Sequence, residues 1–144
     1  IITAEMSAEE EQILGEEVER LRERIRRLGE VNVMAIEEYE ETKKRHDYIV
    51  EGLNSLPGIS CLPGAGTFYA FADVSAAMHG MGCRDDNAFA ELLLNEGGVA
   101  VVPGSGFGAP GHMRISFACS METLEKAIDR MARVLSSGAA ARTA

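Results

Sequence analysis

The stretch VAVVPGSGFGAPGHMRISFA, Val99 to Ala118, consists of two apolar runs joined by a glycine-rich loop. Short β-branched runs bounded by Gly and Pro read as strands, here VAVVP and HMRISFA. One guanidinium, Arg114, sits inside the second run. A buried, unpaired arginine is very costly, so Arg114 either stands on a solvated face of the sheet or meets an anion.

Upstream of these strands, DDNAFAELLLNEG predicts a helix of about three turns, with an acidic first turn and Gly97 at its end. Before it, GISCL and TFYAFADV read as strands separated by the turn signal PGAG. Downstream, SMETLEKAIDRMARVLSSG predicts the last helix. Ser120 caps it, Thr123 occupies its third position, and Leu124, Ile128, Met131 and Leu135 form its apolar stripe. The final residues, AAARTA, read as a frayed tail.

The N-terminal part is written differently. SAEE, Ser7 to Glu10, fits a capping box. Leu14, Val18, Leu21, Ile25 and Leu28 then recur with 4,3,4,3 spacing, a heptad seam. Glu16/Arg20 and Glu23/Arg27 place acid before base at i,i+4. Gly29 is a natural helix stop, and Asn32 can cap a second helix that runs to Pro57–Gly58. A connection of about four residues folds the two helices back as a hairpin. Ile36, Tyr39, Val50 and Leu53 would supply the second helix's stripe, interrupted by Lys43 and His46. The element order therefore predicts an α+β fold: a helical hairpin, then a small β-sheet with helices packed on one face. The domain boundaries read as 1–48 for the hairpin, 49–136 for the mixed domain and 137–144 for the tail.

With 144 residues, 46% hydrophobic and 26% charged, the chain reads as soluble and globular, and long enough to bury a core. Its formal net charge is −9, of which residues 1–56 contribute −7. That balance argues against nonspecific nucleic-acid or anionic-membrane binding. No apolar run approaches the ~18 residues of a membrane span, and no signal peptide is evident. Cys61, Cys83 and Cys119 are odd in number and form no C-x-x-C, which suggests reduced thiols and a cytoplasmic location.

Residues from about 43 to 136 carry a resemblance. PGAGTFYAF, then GVAVVPGSxFG, then R-x-S, in that order and spacing, looks like the C-terminal small domain of class I/II aminotransferases, the fold-type I pyridoxal-phosphate enzymes. The resemblance implies that Arg114 binds a substrate α-carboxylate, for which its planar fork of donors is suited. Residues 28–49, LGEVNVMAIEEYEETKKRHDYI, are similar instead to a coiled-coil stretch of bacterial structural-maintenance-of-chromosomes ATPases. The two resemblances overlap at KKRHDYI, as in a chimera or designed protein joined through a shared helix.

The expected chemistry follows from what each family needs. A transaminase holds its cofactor on a lysine as a Schiff base. The lysines here are Lys43, Lys44 and Lys126, and none lies in the family's cofactor-lysine context. The large cofactor-binding domain is absent from these residues as well. The sequence thus predicts no catalytic residue, no bound cofactor and no transamination. No G-x-x-x-x-G-K-[ST] is present, so no ATP binding is expected.

GSGFG follows a strand but precedes another strand, not a helix, and so fails as a dinucleotide loop; GAGTFY fails likewise. His46, His79 and His112 match no metal-ligand spacing, and no metal is expected. Cys119 has no nucleophile signature and reads as a packed thiol. Three functional readings remain. The first is a non-catalytic folded scaffold without a native substrate. The second is a weak carboxylate-binding remnant built on Arg114 and the loop Pro103–Gly111. The third is self-association through the heptad helix or through a sheet face left uncovered.

Overall fold

In the computed structural model, residues 7–28 and 33–140 are described, and they form two compact units, Ile1–Glu37 and Glu38–Ala144. Gly29 and Asn32, expected to stop one helix and cap the next, lie outside the described residues.

The first unit contains α1 (Ala8–Leu28) and the start of α2 (Val33–Ser55). The capping box at the head of α1 is reciprocal. The Ser7 amide donates to Glu10 Oε2 at 2.9 Å, and the Glu10 amide donates to Ser7 Oγ at 3.3 Å. Of the two expected i,i+4 pairs, Glu23–Arg27 forms at 3.6 Å. Arg20 turns instead to Glu17, one residue nearer, at 3.5 Å. Leu14, Val18, Leu21 and Ile25 are all exposed.

The second unit takes in the rest of α2, then β1 (Ser60–Cys61), β2 (Tyr69–Asp73), α3 (Ser75–Met81), α4 (Asp86–Gly97), β3 (Val102–Pro103), β4 (His112–Ser116) and α5 (Met121–Ala140). The four strands form one antiparallel sheet in the order β1-β2-β4-β3. The laddered segments are shorter than the apolar runs, and the edges explain it. Pro103 has no N–H to extend β3. At the other edge the Asn54 side chain takes the place of a further strand: its Oδ1 accepts from the Cys61 amide at 2.9 Å and its Nδ2 donates to the Cys61 carbonyl at 2.8 Å.

The pleat sorts the sheet into two faces. Ala70 and Ala72 of β2, with Met113 and Ile115 of β4, are buried. They join a single core with Ile49 and Leu53 of α2, Leu56 just beyond it, Phe89 and Leu93 of α4, and Leu124, Ile128, Met131 and Leu135 of α5. The helices thus cover one face, as the α+β reading requires. The stripe expected on α2 divides: Leu53 is fully buried in the core, whereas Ile36 and Tyr39 are exposed.

α3 is an addition to the expected order. Asp73 Oδ1 accepts from the Ser75 amide at 2.8 Å and turns the chain off β2, and Gly82, left-handed with φ 73°, ends the helix about two turns later. No helix among the described residues is long and apolar enough to cross a membrane.

Candidate functional site

The sheet face opposite the helices carries the chemistry. The β2–β4 register pairs Tyr69 with Ser116, Phe71 with Arg114 and Asp73 with His112, and Val102 of β3 stands beside Arg114. Arg114 is therefore on the face free of helices. Its guanidinium carbon lies 4.4 Å from the centre of the Tyr69 ring and 4.6 Å from that of Phe107. Both distances are within cation–π range. Among the described residues no carboxylate pairs with it.

The rings form a connected platform. Phe71 stacks on His112 with centres 5.3 Å apart and planes 15° apart, and meets Phe107 edge-on at 6.5 Å. Tyr69, Phe71 and Phe107 all remain partly open to solvent. At the rim, hydrogen bonds from the Ser75 backbone and side chain hold the Asp73 carboxyl below the usual range, opposing a small effect of burial, with the neighbouring His112 adding to the lowering.

Phe107 comes from a turn of 3-10 helix, Gly104–Phe107, closed by the left-handed Gly108. Gly104 is required there by close approach: a Cβ would come within 2.8 Å of His112 Cβ. The turn is fastened from α4. Asp86 Oδ2 accepts from the Ser105 amide at 2.6 Å, and its Oδ1 accepts from the Ser105 hydroxyl at 2.9 Å. Asp86 is only 3% exposed. Burial pushes its carboxyl up, but the Ser105 hydrogen bonds and the amides of Asp86 and Asn87 outweigh that and hold it below the ordinary value.

The other candidates are scattered. No group of three His, Cys, Asp or Glu able to hold a metal occurs among the described residues. His46 lies on α2 with Nδ1 3.0 Å from Asp47 Oδ1 and its ring edge-on to Phe117; His112 is on the sheet. Lys43 pairs with Asp47 and Lys126 with Glu122, each within its own helix. Cys119 is half-buried after β4. Cys61 is buried, which pushes its thiol up despite a hydrogen bond to Phe71.

Sequence reasoning placed Arg114 on a strand and grouped it with the loop Pro103–Gly111, which does carry Phe107, but it singled out none of Tyr69, Phe71, Phe107 or Asp86. The period-2 alternation of TFYAFADV already puts Tyr69 and Phe71 on one face. Phe107 and Asp86 carry no such signal, because their meeting depends on the packing of α4 against the turn.

The family description "Aminotransferase class I and II" matches residues 4–131. The aspartate/prephenate aminotransferase of Nitrosomonas europaea is 42% identical over 103 residues, 67% of this chain and 26% of that protein. Among solved structures, the aspartate aminotransferase of Rhizobium meliloti superposes with a TM-score of 0.68 at 31% identity, over 76% of this chain and 28% of its own. That of Thermus thermophilus with maleate gives 0.57 at 43% identity, over 66% and 23%. The chain spans about a quarter of the length of the curated relatives it matches.

Proposed function

The chain belongs to the class I and II aminotransferases, and from that premise we propose that it acts as a carboxylate-binding small-domain unit, with Arg114 as receptor and no catalysis of its own. The observation that carries this reading is a guanidinium within 4.4 and 4.6 Å of two ring centres, with no acid partner among the described residues. Rings at cation–π distance exclude water beside the cation, and a guanidinium's planar fork of N–H donors fits a carboxylate bidentately. One partly exposed ion pair contributes little, ~0–1 kcal/mol, so binding is weak.

Pyridoxal phosphate is the cofactor that the family resemblance implies, and the residues present do not fit it. Lys43 and Lys126 are each engaged by an acid on their own helix, and Lys44 is exposed on α2. No step of transamination is assigned to these residues. A finer reading makes the chain a recombined one, with a coiled-coil segment at 1–48 joined to the small domain at 49–136. Its support is the likeness of residues 28–49 to a coiled-coil stretch. The family match from residue 4 onward weighs on the other side.

Amide NMR titration tests the main reading, with maleate as the carboxylate and pyridoxal phosphate in parallel. Shifts that cluster on residues 103–116, saturate with maleate and vanish in Arg114→Ala support it. A well-dispersed spectrum that ignores maleate removes it. An imine absorbance with pyridoxal phosphate, lost on replacing one lysine, would restore a catalytic reading.

One observation favours a second role. The exposed stripe on α1 has β-branched Val18 and Ile25 alternating with Leu14 and Leu21, a pattern suited to two-stranded association. Self-association through α1 is compatible with carboxylate binding, since the two use different units.

A further inference from the structure

We infer that Asp86 is a positioning residue for Arg114: through Ser105 it fixes the turn that lays Phe107 over the guanidinium. Phe107 is 52% exposed, so burial in the core does not hold its ring where it is. Its place is set by the backbone of the Gly104–Phe107 turn. Side-chain hydrogen bonds reach that turn from α4, two from Asp86 to Ser105 and a longer one, at 3.4 Å, from Asn87 Nδ2 to the Ser105 hydroxyl.

The needs of its own helix explain only part of the placement of Asp86, whose carboxyl also faces the amides of Asp86 and Asn87. Asp85 already caps α4, its carboxylate accepting from the Ala88 amide at 2.8 Å. Asp86, one residue on, is the buried charged residue among those described. Burying a carboxylate is unfavourable unless it is well hydrogen-bonded. Here, beside the amides of Asp86 and Asn87, each of its two oxygens accepts a hydrogen bond from one residue nineteen positions away, in the turn that carries Phe107 to Arg114. A bidentate link from a rigid helix removes freedom from a glycine-rich turn and so orders the ring before any ligand arrives. Alanine removes both acceptors, whereas asparagine could keep a neutral version of the pair, its Oδ1 accepting the Ser105 N–H and its Nδ2 donating to the Ser105 hydroxyl.

The test reads the Arg114 Nε–H resonance, which two neighbouring rings shift, in the full chain with and without maleate. Asp86→Ala is expected to move that resonance toward the free-arginine position, while the amides of Met113 and Ile115 stay put. Ser105→Ala, which keeps the amide link and is the milder variant should Asp86→Ala not fold, is expected to move it part of the way. In a Phe107→Leu background, Asp86→Ala is expected to change nothing further at Arg114. The ligand arm rests on the carboxylate reading of Arg114: Asp86→Ala should raise the maleate Kd about two- to threefold, and Phe107→Leu by a similar factor. An unchanged Arg114 resonance in folded Asp86→Ala or Ser105→Ala overturns the inference, as does an equal effect of Asp86→Ala with and without Phe107. Failure of the wild-type chain to bind maleate would remove the carboxylate reading, and the resonance would still decide the role of Asp86.

Discussion

Arg114 and Phe71 are direct partners in the β2–β4 ladder, yet the guanidinium lies over Tyr69, the next outward residue along β2, at 4.4 Å. The offset divides the aromatic platform. Tyr69 and Phe107 take the cation, and Phe71 is left to stack on His112. The guanidinium thus has two aromatic neighbours and no carboxylate partner among the described residues, which leaves its N–H donors available to a carboxylate.

Arg114→Lys keeps the charge and loses the plane. An ammonium is a hydrated point charge, without the fork that matches two oxygens or the flat face that packs on rings. The expected outcome is a roughly threefold weaker maleate interaction, about 0.65 kcal/mol, with the fold unchanged. Heteronuclear titration of the variant beside the wild type measures it. Equal affinities would mean that charge alone attracts the ligand.

How much of this was legible in the sequence depended on distance along the chain. The Ser7–Glu10 box and the cap of α5, where the Thr123 amide donates to Ser120 Oγ at 3.3 Å, are local and were read directly. The strands were placed because alternation and Gly/Pro punctuation are local too. α3 was missed because its seven residues include Gly80, and its start depends on an Asp73 turn that looks like the end of a strand. The position of Arg114 was legible; its surroundings were not. Phe107 comes to Arg114 from seven residues away through a turn whose shape is set by Asp86, a further nineteen residues from Ser105. Contacts of that kind are products of tertiary packing and leave no spacing in the sequence.

Acid should reveal the Asp86 link. Its folded pKa is depressed, so the unfolded chain binds the proton more tightly. The stabilisation is full above the unfolded value of about 4 and is lost as pH falls through the folded one. Urea denaturation of wild type and Asp86→Asn in steps from pH 6 to pH 3 should show a gap that narrows toward the acid end. A gap that stays constant would mean that the charge of Asp86 contributes nothing beyond its shape.

The core makes a sharper stability prediction. Leu93 is wholly buried at the meeting of α4 with the sheet. Leu93→Ala should cost about 2–5 kcal/mol, a transfer loss plus a cavity. Leu14→Ala, at a site 56% exposed on α1, should change the stability of the isolated chain by no more than about 0.5 kcal/mol. Denaturation midpoints for the two variants, compared at low protein concentration, provide the check.

The exposed stripe of α1 should become visible as protein concentration rises. In heptad terms Val18 and Ile25 stand at a, and Leu14 and Leu21 at d, the arrangement that favours a parallel pair of strands. In that register Glu17 stands at g and Arg22 at the following e, so each helix offers a negative group to its partner's positive one. Both residues already have partners on their own helix, Glu17 with Arg20 at 3.5 Å and Arg22 with Glu19 at 2.7 Å, and all are exposed, so exchanging them costs little and gains little. The described seam is about two heptads long, too short for a helix pair to be tight. Sedimentation over a wide concentration range should therefore show a weak monomer–dimer equilibrium. Leu21→Asp should abolish it, Glu17→Arg should weaken it, and Glu17→Arg combined with Arg22→Glu should restore it. A monomer at every concentration would sink the association, and a dimer untouched by Leu21→Asp would move the contact away from α1 and toward the open sheet face.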